Sequence, residues 1–139
     1  MRMRIPSALV VIASIVLALG CSQGSGGGPD NTGTTFDLEG AWTANWGGAN
    51  TMVFTKTVFV VSGAQNVSAD ILSFDNAVKK GMLKWTVHPA FAGEYENFRW
   101  SPSATPGNMD MILGTPDSNY SIAEAKTDSP YSATLVPKP

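Results

Sequence analysis

From Phe36 to the carboxyl end the apolar residues recur at every second position, and this alternation constrains the chain more than any other feature. In the run 83–88, Leu83, Trp85 and Val87 alternate with Lys84, Thr86 and His88. A strand turns successive side chains to opposite faces, so this run presents one apolar and one wet face, as in an antiparallel sheet covered on one side. The same pattern recurs along the chain, punctuated by Gly, Pro, Asn and Asp. In 40–46, Trp42, Ala44 and Trp46 share a face opposite Thr43 and Asn45; Met52 and Phe54 mark a second run, and 58–62 a third. The run 67–74 puts Leu72 and Phe74 together, and 95–101 sets Phe98 and Trp100 against Asn97, Arg99 and Ser101. Met109, Met111 and Leu113 form the seventh run; Tyr131, Ala133 and Leu135 share a face of the eighth. The polar stretch 114–130 contains Ser121-Ile122-Ala123-Glu124, a capping-box pattern that predicts one helical turn.

Eight short strands in a nearest-neighbour meander predict an all-β, eight-stranded, antiparallel up-and-down barrel, because closure removes the exposed edges of a sheet. A two-sheet β-sandwich is the alternative. The inward-phased residues are Trp42, Trp46, Phe54, Phe74, Trp85, Phe98 and Trp100 with Met52, Met109 and Met111. An eight-stranded barrel is just wide enough to be filled by side chains or to hold one small ligand, and so many bulky residues favour filling.

The amino end has a different character. Arg2 and Arg4 precede an apolar run over 8–19 broken only by Ser14, the dimensions of a signal peptide and too short for a membrane span of roughly 20 residues. It stops at Leu17-Ala18-Leu19-Gly20-Cys21, which resembles the lipobox of bacterial lipoproteins. The resemblance implies that Cys21, the single cysteine, becomes a lipidated amino terminus that anchors the protein in a membrane of the cell envelope. Ser22 after the cysteine favours the outer membrane in a diderm organism. The chain thus divides into a signal peptide (1–20), a lipidated, Gly- and Ser-rich tether (21–35) and a barrel domain (36–139). A flexible tether of this length holds the domain about 20 Å from its anchor.

Within the barrel domain, Leu38-Glu39-Gly40-Ala41-Trp42 resembles the Gly-x-Trp of the first strand in lipocalins and their calycin relatives. There the glycine permits a bend and the tryptophan plugs the closed end. Gly40 and Trp42 carry over; no Thr-Asp-Tyr motif follows, and Lys138 stands where those proteins stack an arginine. The resemblance implies a compact lipocalin-like lipoprotein.

Chemistry is sparse. His88, the only histidine, falls on the polar face of its run and reads as a solvated strand end. Zinc requires a histidine and cysteine cluster, and none is present. Glu94 and Glu96 lie two apart but read as solvated charge rather than as the carboxylate pair of a glycosidase. Asp117-Ser118-Asn119 is a fragment of a calcium loop without its glycine or distal glutamate. No catalytic residue, metal or cofactor is therefore expected, and the protein is read as a non-enzyme. Removing 1–20 takes two of nine basic groups and no acidic one, leaving seven against eleven and a net charge of −4. That excludes the basic footprint of a nucleic-acid binder. The expected function is a non-catalytic binding or protein-interaction module of the envelope. It would carry a small apolar ligand in the barrel, with Trp46, Trp85, Phe98, Trp100, Met109 and Met111 as candidate ligand-binding residues, or act as an inhibitor of envelope hydrolases or a ligand for envelope or host proteins. Any ligand site is expected at an open end near the loops 89–93 and 102–107.

Overall fold

A computed structural model describes residues 35–139. The signal peptide, Cys21 and almost all of the tether lie outside the described residues. Eight antiparallel strands, β1 (Gly40–Asn45), β2 (Ala49–Phe54), β3 (Val58–Gly63), β4 (Val67–Asp75), β5 (Lys80–Val87), β6 (Tyr95–Pro102), β7 (Met109–Leu113) and β8 (Tyr131–Pro137), close in sequence order into one barrel. A short helix, α1 (Tyr120–Ala125), interrupts the last connection. Closure excludes the sandwich, because β1 pairs with both β2 and β8. The β1–β8 seam is short, aligning Trp42 with Pro137 and Thr43 with Val136, and the Lys138 amide extends it by donating to the Ala41 carbonyl at 2.9 Å.

The alternation expected from sequence fills the interior. Trp42, Met52, Phe54, Phe74, Trp85, Phe98, Trp100 and Met111 are all buried in one cluster, against which Trp46 and Met109 pack. Two register shifts break strict alternation: the one between Ser68 and Ala69 skips Thr86 on β5, so Val87, expected on the inward face with Leu83 and Trp85, is exposed. The other, between Ile71 and Ser73, inserts an extra residue into β4, so Ile71 and Phe74 both face inward and Leu72, expected beside Phe74, turns to solvent. A bulge has this effect because two residues of one strand oppose one of the other. Gly81 faces inward where Phe98 crosses β5; a Cβ there would stand 2.3 Å from the Phe98 ring.

Successive connections alternate between the two ends of the barrel. The stretch before β1 crosses one end. Phe36 lies there, stacked on Phe74 at 4.3 Å and edge-on to Phe54, Phe98 and Trp100. Asp37 accepts a hydrogen bond from Trp100 Nε1 at 3.1 Å and pairs with Lys79. Gly40, at φ +133°, makes the bend that brings this segment into β1, and Trp42 Nε1 then donates to the Leu38 carbonyl at 2.7 Å. Trp42 is buried as the Gly-x-Trp pattern implies, while Phe36 and Leu38 complete the seal. Lys138 does not play the part of the stacking arginine; its ammonium reaches Thr51 Oγ1 at 3.4 Å.

The 114–130 connection packs on the outside. Its helix is capped by Asn119, whose side chain accepts from the amides of Ser121 and Ile122, two residues before the capping box read from sequence. Asn97 on β6 faces outward but is fully buried, donating to the carbonyls of Ala123 and Lys126 at 2.7 and 3.0 Å. Met82, aligned with Asn97 across the β5–β6 pair, is buried likewise.

Candidate functional site

Opposite the Phe36 plug, the connections 46–48, 64–66 and 88–94 and the start of the β7–β8 connection surround the other mouth. A cavity of about 360 Å³ opens there, lined by Trp46, Gly47, Gln65, Trp85, His88, Phe91, Glu96 and Tyr131. Each wall is positioned by its element. Trp46 follows β1 into a tight turn that Asn50, itself buried, pins by donating to the carbonyls of Trp46 and Gly48 at 2.8 and 2.9 Å. The same Asn50 accepts from the Gln65 amide at 2.7 Å and so ties two connections of the rim together. Trp46 lies nearly parallel to Trp85, with ring centroids 6.5 Å apart and planes at 26°, and edge-on to Tyr131 at 6.4 Å.

The 88–94 loop folds back on β5. Trp85 donates its amide to the Glu94 carbonyl and accepts from the Gly93 amide at 2.9 and 2.8 Å. His88 is only half-exposed, packing at 4.8 Å against Trp85 and 4.7 Å against Phe91. Its Nδ1 accepts from the amides of Ala90 and Phe91, both at 3.0 Å. Those bonds require a lone pair on Nδ1, hence a neutral ring with the proton on Nε2. Burial lowers the His88 pKa in the same sense, against the opposing charge of Glu94. The histidine expected at a solvated strand end is thus a structural acceptor for its own loop.

Glu96 departs furthest from the sequence reading. It was expected to be solvated charge; it is 1% exposed. It shares the inward phase of Phe98 and Trp100, a signal present in the alternation of β6 and overridden by the expectation that a glutamate beside a loop is wet. Its Oε2 accepts from Trp85 Nε1 at 2.5 Å, and its Oε1 is buried without a partner. Burial pushes its pKa up to about 8; the Trp85 hydrogen bond works the other way, and the charges of Asp128 and Glu94 add to the rise. At neutral pH the carboxyl is therefore mostly protonated.

The six candidate ligand residues separate. Trp46 and Trp85 meet at the open mouth. Phe98 and Trp100 stack on each other at 5.6 Å beneath the Phe36 plug, two and four residues along β6 from Glu96 towards the closed end. Met111 is buried below Trp46 and Tyr131, where no room for a water-sized guest remains, and Met109 is half-buried at the closed-end start of β7. The loops 89–93 and 102–107 do not share a mouth. In an up-and-down meander the connection after β5 and the one after β6 lie at opposite ends, a consequence of parity already implicit in the strand order. Among the described residues no three His, Cys, Asp or Glu side chains converge as a metal group. Asp117, in the calcium-loop fragment, instead accepts from the Asn119 amide at 2.8 Å and bridges Tyr95 through its backbone.

No family profile, curated protein or solved structure matches this chain. The site is therefore read from its own geometry. Aromatic faces, a buried carboxyl with one free oxygen and a concave volume are the parts of a binding pocket.

Proposed function

We propose that the protein is a lipid-anchored, lipocalin-like binding protein of the cell envelope, non-catalytic, which holds a small ligand at the open mouth of its barrel. The observation that carries this reading is the contrast between a filled interior and the roughly 360 Å³ cavity walled by Trp46, Trp85, Phe91 and Tyr131. That volume is at the lower end for small-molecule pockets. Met52, Phe54 and Phe59 are buried beneath it, so a long acyl chain or a retinoid has no channel to follow. Support for the anchor is the Leu-Ala-Leu-Gly-Cys sequence, with Cys21 as acceptor and Ser22 favouring the outer membrane of a diderm cell. Support for the lipocalin-like assignment is the eight-stranded barrel with Gly40 bent and Trp42 buried at its first strand.

Tryptophan fluorescence tests the site, since Trp46 and Trp85 line it. Small cyclic and branched apolar molecules and amines should quench saturably at one-to-one stoichiometry, whereas palmitate and retinol should not; submicromolar binding of either long ligand would mean that the interior opens. Labelling with a radioactive fatty acid tests the anchor. Label should be absent from Cys21→Ala, and its persistence there would sink the lipoprotein assignment.

A second reading, a protein-interaction module such as an inhibitor of envelope hydrolases, is supported by the outer wall. Val53 and Val60 are aligned across β2 and β3 and both face solvent, with Val58 on the same face. Absence of any small-molecule binding would favour it.

A further inference from the structure

We propose that the open-mouth cavity is an organic-cation site, in which an alkylammonium or quaternary ammonium group sits against the faces of Trp46, Trp85 and Tyr131 with the Glu96 carboxylate beneath it as counter-charge. The inference rests on the reading of this mouth as a small-ligand site and names the chemical class of its ligand.

Three features of the mouth converge on a cation. The walls are aromatic, with two near-parallel indoles and a phenol ring edge-on to one of them. Ring faces carry negative quadrupole potential, and cages of this kind select quaternary ammonium groups over neutral groups of equal size. The cavity lining carries a carboxyl and no basic side chain, and Lys126 and Arg99 lie beside Asp128 outside it. Glu94 lies in the rim loop and Asp128 close enough to act on Glu96, while no lysine or arginine lines the cavity. The nearest basic group on β5, Lys84, stands over the Tyr95 ring at 5.1 Å on the outer wall. The third feature is Glu96 itself: Oε1 is buried without a hydrogen-bond partner on the floor of a largely aromatic pocket. An unsatisfied buried polar atom costs stability, and the Trp85 hydrogen bond occupies only Oε2. A cation in the mouth supplies a counter-charge to the ionised carboxylate.

The proton balance follows. The empty site keeps Glu96 mostly protonated at neutral pH, and a bound cation favours the ionised form, so each cation bound releases up to one proton to solvent. Apparent affinity should rise with pH through the Glu96 pKa of about 8 and level off above it. The groups facing Glu96 from the surrounding elements act in defined directions: the charges of Asp128 and Glu94 add to the rise in its pKa, and His88, its pKa lowered by burial, is neutral. None of them reverses the trend.

The test uses the full chain in maltoside micelles with two probes, choline and its neutral carbon isostere neohexanol, following tryptophan fluorescence and proton release. Choline should bind at least about tenfold more tightly than neohexanol, in keeping with a desolvated cation–aromatic contact, and its affinity should increase between about pH 7 and 9 while that of neohexanol stays flat. Glu96→Gln should abolish the pH dependence and weaken choline without affecting neohexanol. Trp46→Leu, at a half-exposed position that tolerates change, should weaken choline severalfold and leave neohexanol bound. Equal affinity for the two probes, or choline binding unaltered in both variants, would overturn the cation inference and leave an apolar small-ligand site standing. If apolar molecules bind and neither probe does, the cation inference again fails alone. If nothing binds, both readings fail together.

Discussion

The two ends of the barrel are built from the same kinds of residue and behave differently. At the closed end Phe36, Phe54, Phe74, Phe98 and Trp100 pack ring on ring, and the carboxylate set against them, Asp37, has its hydrogen bonds from Lys79 and Trp100. At the open end Trp46, Trp85, Phe91 and Tyr131 surround empty volume, and Glu96 keeps an oxygen unpaired. What separates them is a short piece of chain. Residues 35–39 cross the closed end and deliver Phe36, Asp37 and Leu38 into it, whereas among the described residues no segment crosses the open one. Aromatic content alone therefore does not make a core or a pocket; the presence of a plug does.

The largest test of this contrast is in the packing. Phe36→Ala and Trp42→Ala should each cost about 3 to 5 kcal/mol, as for other large aromatic deletions in a filled interior. Trp46→Ala at the open rim, and Asn45→Ala on the outward face, should cost about 1 kcal/mol or less. Urea midpoints read the difference directly, and similar midpoints for Phe36→Ala and Trp46→Ala would erase the distinction between the ends.

The two carboxyls should respond to pH with opposite sign. Glu96 has a folded-state pKa raised from 4.5 to about 8, so the native state holds a proton that the unfolded chain has lost. Its stabilising contribution is complete below the unfolded pKa and declines as pH rises through about 8. With each pKa unit worth about 1.4 kcal/mol, the wild type should lose on the order of 3 kcal/mol between about pH 5 and 8. Glu96→Gln should show a flatter profile in thermal or urea unfolding across that window; an unchanged profile would mean the carboxyl is wet.

Asp37 is the smaller and inverse case. Burial works to raise its pKa, but the hydrogen bonds from Lys79 and Trp100 and the Lys79 charge outweigh it and hold the carboxyl below its ordinary value. Its contribution is present above the unfolded pKa and is lost as pH falls through the folded one. Because the ion pair is partly exposed, the effect should be no more than about 1 kcal/mol, seen as acid sensitivity below about pH 4 in the wild type and reduced in Asp37→Asn. Smallest of all is the His88 titration. An NMR titration of the imidazole should place its midpoint below the ordinary 6.5, with loss of the Ala90 and Phe91 amide signals' protected positions on protonation; a midpoint above 6.5 would contradict the acceptor role of Nδ1.

Strand number and inward faces were legible in the chain because a period of two is a local property: Trp42, Phe54, Trp85, Phe98 and Trp100 could be assigned from their neighbours alone. The same rule already contained Glu96, two residues before Phe98 in the phase of the buried face. It also contained the opposite placement of the loops 89–93 and 102–107, through the parity of the meander. Leu72 was not legible, because the β4 shift arises from pairing with β5, where a bulge lets Ile71 and Phe74 both reach the core. Nor was the burial of Asn97 and Met82 on the outer wall, since alternation says which face a residue takes and nothing about what later covers that face. Alternation therefore determined by itself that these strands pack around an aromatic interior, while the β1–β8 pairing decided for a closed barrel over a sandwich. Only the tertiary structure decided which end is sealed, because that depends on where residues 35–39 run after the barrel has closed, and so which tryptophans became core and which became the walls of a cavity.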